Sequence, residues 1–131
     1  RIGANLSRAG FKILAAHGHG PSIRQFGALK EELHSKCGLI GVTAFDFMED
    51  DRLRFQNDHA AANETSITMA VRPELVQLER IRNGEELPIA VAGADPRTDA
   101  SREYGMEILE MNVNALCRGI GELLNKEKLT L

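Results

Sequence analysis

The chain has 131 residues, 43% of them hydrophobic and 27% charged, with a formal net charge of −3. That length bounds it to one domain with room for a buried core. The near-neutral charge and scattered basic residues carry no nucleic-acid signature; no apolar run approaches the roughly 20 residues that span a bilayer and no signal peptide is visible, so neither nucleic acid nor membrane is an expected partner.

The chain opens at Arg1 inside a helical pattern, with Ile2, Leu6 and Ala9 at helical spacing and Gly10 as a stop. It reads as the last part of an element that began earlier, so a trimmed N-terminus is expected. FKILAAHG (11–18) has the length and character of a buried strand. Pro21 fits the first turn of a helix, and Ile23, Phe26, Leu29 and Leu33 extend an amphipathic pattern over 22–36 that Gly38 closes. LIGVTAFDFM (39–48) predicts a second buried strand, and the charged stretch 49–58 a loop. The Ala-rich segment 59–72 reads as a helix stopped near Pro73, and 73–87 as a turn-rich connection with Asn83-Gly84 as its signal. PIAVAG (88–93) is a weaker third strand. Thr98 or Asp99 is the predicted cap of a last helix reaching about Asn125, with Met106, Leu109, Val113, Leu116 and Ile120 as apolar positions. Cys37 and Cys117 stand in no metal or redox spacing and are expected as buried free thiols in a reducing cytoplasm.

Helices alternating with strands predict an α/β fold: three layers, α/β/α, around a mostly parallel sheet. Ligand sites in such sheets lie beyond the carboxyl ends of the strands. His17 and His19 stand at such an end, in a glycine-rich strand-to-helix turn, where an imidazole makes a good divalent-metal ligand. A histidine bonded to a neighbouring loop, or an anion-binding turn, remains an alternative. A second constellation is HAAANETS (59–66). His59 and Glu64, five residues apart, lie about 140° apart on a regular helix, so they act together only if His59 precedes the helix and Glu64 sits in its first turns. A carboxylate there is also favoured by the helix dipole alone. The remaining acidic pairs read as solvated faces.

These segments resemble the creatininase (creatinine amidohydrolase) family. HGHGPS resembles its N-G-H-G-G-N turn, and DHAAANETSITMAVRPELVQLERI its H-A-G-E-x-E-T-S motif and the helix after it. GADPRTDASREYGMEILEMNVNAL is similar to its Gly-x-Pro segment and long C-terminal helix. The resemblance implies a metal-dependent hydrolase of a C–N bond in a small amide, cyclic amides included, with two zinc or manganese ions per complete site. It assigns metal ligation to His19 and Glu64 and proton transfer to His59. His17, which replaces the motif's asparagine, becomes an extra candidate ligand or a residue that supports the ligands, and Ser22 and Asp58 become candidates for that supporting role. Pro21 holds the place of a glutamate found in creatininase proper, which argues against creatinine as substrate, and Ala62 stands where many members have a glutamate.

The family's first-half motif, Glu-x-His followed by Asp, has no counterpart in residues 1–16. Two ligands do not hold a dinuclear site. The expectation is therefore the C-terminal portion of one creatininase-like domain, completed by residues outside it or by a separate N-terminal half, and assembled as a homo-oligomer. The competing expectation is a non-catalytic α/β module that has lost the site.

Overall fold

The structure is a computed structural model and describes residues 1–48, 58–81, 84 and 86–129. It divides into two compact units, Arg1–Met48 with Ala115–Leu131, and Glu49–Asn114.

In the first unit, helix α1 (Ile2–Arg8) leads through Gly10, at φ 89°, into strand β1 (Ile13–Ala16). Helix α2 (Gly20–Cys37) comes next, and Gly38, at φ 65°, closes it: its N–H bonds back to the carbonyl of His34, a left-handed stop that a Cβ would strain. Strand β2 (Ile40–Thr43) then pairs parallel to β1, with Ile13 opposite Ile40 and Ala16 opposite Thr43. A parallel pair needs a long crossover, and α2 supplies it. The helix packs closely on the strand because Gly41 has no side chain: a Cβ there would lie 3.1 Å from Lys30 and 3.4 Å from Leu33 and Phe26. Leu39, Val42, Ala44 and Met48 are buried along this strand and its exit. A 3-10 turn, Ala44–Phe47, ends it, fixed by a capping box between Thr43 and Asp46.

In the second unit, helix α3 (Ala62–Val71) is followed by two 3-10 turns, Pro73–Leu75 and Leu78–Arg80, then a short helix α4 (Pro96–Asp99). The last helix, α5 (Arg102–Leu129), belongs to this unit up to Asn114 and to the first unit from Ala115. Its buried row is Gly105, Ile108, Asn112, Ala115 and Gly119, whereas Met106 and Val113 are 46% and 51% exposed. Gly105 lies so close to α3 that an added Cβ would sit 1.9 Å from the Ser66 carbonyl oxygen. In the first unit Gly119 makes the same kind of room for Phe47. The apolar positions of the sequence mark the helix, but small residues mark its contact face.

A small parallel sheet with many helices makes the chain α/β, and the strands within 11–18 and 39–48 are where the pattern puts them. Three expectations change. Residues 88–93 form no strand: Pro88 has no N–H, Ala90 takes φ 78° and Gly93 φ 142°, so only an isolated antiparallel bridge between His59 and Ala92 forms. The last helix is not capped at Thr98 or Asp99. Asp95 caps α4 by accepting the N–H of Arg97, the backbone then turns extended at Ala100, and the Ser101 hydroxyl oxygen accepts the N–H of Tyr104 at the start of α5. The cysteines are both free, but Cys37 is half-buried and Cys117 exposed, because Cys117 lies off the buried row of α5. The loop expected at 49–58 falls, except for Asp58, outside the described residues, as does Asn83. Among the described residues no helix is long and apolar enough to cross a membrane.

Candidate functional site

Two groups of candidate residues exist, one in each unit. In the first, the chain leaves β1 at Ala16 and enters α2 at Gly20. His19 is the residue before the helix; its carbonyl accepts the N–H of Ile23 at 3.1 Å, while its side chain makes no capping bond. His17, His19 and Ser22 are all exposed. Neither Gly18 nor Gly20 takes a positive φ, and a Cβ at either would meet nothing nearer than 3.8 Å. Neither an unusual backbone nor a close approach therefore requires glycine at these two positions.

The second group is the turn from Asp58 into α3, and it is tied down at every step. His59 and Ala92 exchange both backbone hydrogen bonds, at 2.8 and 2.9 Å, and Ala62 N–H donates to the Ala94 carbonyl at 3.1 Å. The Asp58 carboxylate accepts the N–H of Asn63 at 2.6 Å and of Glu64 at 3.1 Å. These are N–H groups of the first helical turn, which have no partner within the helix, and a carboxylate there is also favoured by the helix dipole. Ala60 sits at φ 50° with its N–H on Oε2 of Glu64 at 2.7 Å. Opposite, Gly93 is indispensable: a Cβ there would stand 2.7 Å from Cβ of Asp58 and 2.9 Å from Cβ of Ala61.

His59 thus precedes the helix and Glu64 lies in its first turn, the arrangement their spacing required. His59 is exposed and Glu64 half-buried. The rest of the motif holds the helices together: the fully buried Ser66 hydroxyl oxygen accepts the Ser101 N–H at 3.0 Å, and the Tyr104 hydroxyl donates to Oδ1 of Asn63 at 3.1 Å. Next to the bridge, Asp95 accepts from the Arg97 guanidinium and backbone N–H, which holds its carboxyl below the usual range. Sequence reasoning missed Ala60, Ala92 and Gly93. Only the glycine carried a signal, as a lone Gly inside an apolar run.

Asp58, His59 and Glu64 come together in one unit, and His17, His19 and Ser22 in the other. Among the described residues no three or more His, Cys, Asp or Glu side chains gather to hold a metal ion.

The profile of the Creatininase family, creatinine amidohydrolase, matches residues 1–120. Among solved structures the chain resembles creatinine amidohydrolase (creatininase) at 24% identity with a TM-score of 0.59, covering 92% of this chain and 60% of that one. A mutant creatininase of Zn–Zn type gives 23% identity and a TM-score of 0.59, again with 92% and 60% covered. A mutant creatininase complexed with creatine gives 22% and 0.57 over the same shares, 92% and 60%. The chain thus spans about 60% of the length of the structures it matches. No curated protein matches it.

Proposed function

Because the chain belongs to the creatininase family, we propose that it carries part of an amidohydrolase that cleaves a C–N bond in a small amide, linear or cyclic. The observation that carries the reading is the turn 58–64, in which backbone bonds and two carboxylates hold Glu64 and His59 on a rigid frame. Rigid placement of reacting groups is what amide hydrolysis needs, since the barrier falls when groups are held ready. His59, exposed and backbone-anchored, serves as the proton-transfer residue that protonates the leaving nitrogen as the C–N bond breaks. Glu64 and His19 serve as metal donors, with Asp58 holding Glu64 in place and His17 and Ser22 flanking His19.

A divalent-metal requirement is supported by the Zn–Zn type neighbour, which speaks for zinc, with manganese the other ion the reading allows; a small-molecule substrate is supported by the neighbour with creatine. Among the described residues the donors do not suffice for a dinuclear centre, since no set of three gathers there. The reading therefore includes further donors from outside the described residues, and association into a homo-oligomer in a three-layer α/β/α architecture.

The test is elemental analysis, before and after a chelator, of the protein purified together with the residues or partner chain that complete the site, paired with hydrolysis of a panel of linear and cyclic amides. Zinc or manganese at stoichiometric level, with chelator-sensitive turnover, is the expected result. Protein free of bound metal and inert toward the whole panel would leave the competing reading, a non-catalytic α/β module.

A further inference from the structure

The second unit contains a cavity of about 410 Å³, within the size range of small-molecule sites. One wall is polar and comes from α3: Glu64, Thr65 and Thr68. Glu64 and Thr68 are four residues apart and so share a helix face. The Thr68 hydroxyl is committed to the Glu64 carbonyl at 2.9 Å, whereas among the described residues the Thr65 hydroxyl has no hydrogen-bond partner. One Glu64 oxygen, Oε2, holds the Ala60 N–H.

The other wall is mostly apolar: Leu75, Val76, Leu78 and Ile81 line it, with Gln77 as the polar side chain among them. Leu75, at the rim, is 64% exposed. A hydrocarbon wall facing a carboxylate and a hydroxyl selects a ligand of the same split character. Its body must be aliphatic and its polar end must donate N–H; an anion is repelled by Glu64.

We propose that this cavity binds the aliphatic substituent of a small neutral amide, with the amide end held at Glu64 and Thr65. The inference rests on the amidohydrolase reading for its meaning, since it names the substituent that the substrate carries beside Glu64. The binding itself needs no metal.

That independence separates the two in experiment. Chelator-treated, isotope-labelled protein is titrated with isovaleramide and followed by amide chemical shifts. Acetamide, which lacks the hydrocarbon body, and isovalerate, which replaces the amide by a carboxylate, serve as comparisons. Saturable shifts at Thr65, Thr68 and 75–81 are expected, with a Kd of about 1–10 mM for so small a ligand. Acetamide and isovalerate should bind about fivefold or more weakly. Leu78→Ala and Thr65→Val, which removes the hydroxyl at nearly constant volume, should each weaken isovaleramide about fivefold while leaving the remaining spectrum folded. Equal response to isovalerate, shifts located elsewhere, or no saturation would overturn the proposal even if metal-dependent turnover is found. Binding without turnover would leave the cavity assigned and sink only the catalytic reading.

Discussion

The backbone N–H of Ala60 donates to Oε2 of Glu64 across 2.7 Å, from a residue held at φ 50°. A left-handed backbone costs a residue with a Cβ about 1 kcal/mol relative to glycine, so the turn carries local strain to keep that bond. Ala60→Gly should relieve it and leave stability unchanged or raised by up to about 1 kcal/mol. Ala60→Pro removes the N–H and imposes φ near −65°, and should lower thermal stability by about 3 kcal/mol or more. Denaturation of both variants against the parent checks the pair.

Asp58 takes two N–H groups of the first turn of α3 on its two oxygens. Asp58→Ala should therefore cost about 1–2 kcal/mol, and Asp58→Asn, which keeps one accepting oxygen, less. Urea unfolding at neutral pH resolves the order; equal losses for the two would contradict it.

Two glycines of the last helix should behave oppositely. At Gly105 an added Cβ meets the Ser66 carbonyl at 1.9 Å, so Gly105→Ala must push α5 from α3 and should cost about 3 kcal/mol or more. At Gly121 a Cβ meets nothing within 4 Å, so Gly121→Ala should stabilise by about 0.5–1 kcal/mol through helix propensity. Melting temperatures of the two single variants should move in opposite directions.

The same contrast shows what sequence can and cannot reveal. Strands β1 and β2 were legible because parallel strands read as short apolar runs, although β1 is only half-buried, with Ala15 exposed, and α2 because Pro21 and Gly38 mark its ends. The helix expected over 59–72 begins only at Ala62, which is the arrangement that lets His59 and Glu64 act together. Residues 88–93 misled because an apolar run says nothing about φ, and the left-handed Ala90 has no composition signal. The buried row of α5 misled for a related reason: beside Ile108 and Asn112 it includes Gly105, Ala115 and Gly119, small residues where close approach matters more than hydrophobic bulk. At the candidate site, residue types showed Glu64 and His59. The Ala92 N–H and carbonyl that hold His59, and the Ala94 carbonyl that holds Ala62, belong to the backbone, which every residue shares.

Both oxygens of Asp46 lie 2.6 Å from Nζ of Lys30, and one of them also takes the Thr43 N–H at 2.6 Å. Partial burial pushes the Asp46 carboxyl up, but the Lys30 ammonium and the Thr43 bonds outweigh it and hold it below its ordinary 3.8. A folded-state pKa below the unfolded one contributes stability at higher pH and loses it as pH falls through the folded value. Stability should therefore drop on acidification below about 3.8, and Lys30→Met should shrink that acid-dependent part. Melting curves between neutral pH and pH ~2 give the comparison.

For the proposed chemistry, His59→Ala should leave bound metal unchanged and lower kcat by about 10²–10⁴-fold, the usual worth of a proton-transfer group. His19→Ala should instead lower metal content, with His17→Ala less severe. Metal analysis and turnover on the same preparations separate the roles, and loss of metal in His59→Ala would reassign that residue as a donor.

The unit that contains Arg1–Met48 is finished only by the chain from Ala115 onward. A ribosome adding about 5–20 residues per second needs several seconds to make the intervening stretch. During that wait the nascent β1–α2–β2 segment stands without the helix that brings Gly119 to Phe47, so its apolar surface is open to chaperones until that stretch of α5 emerges.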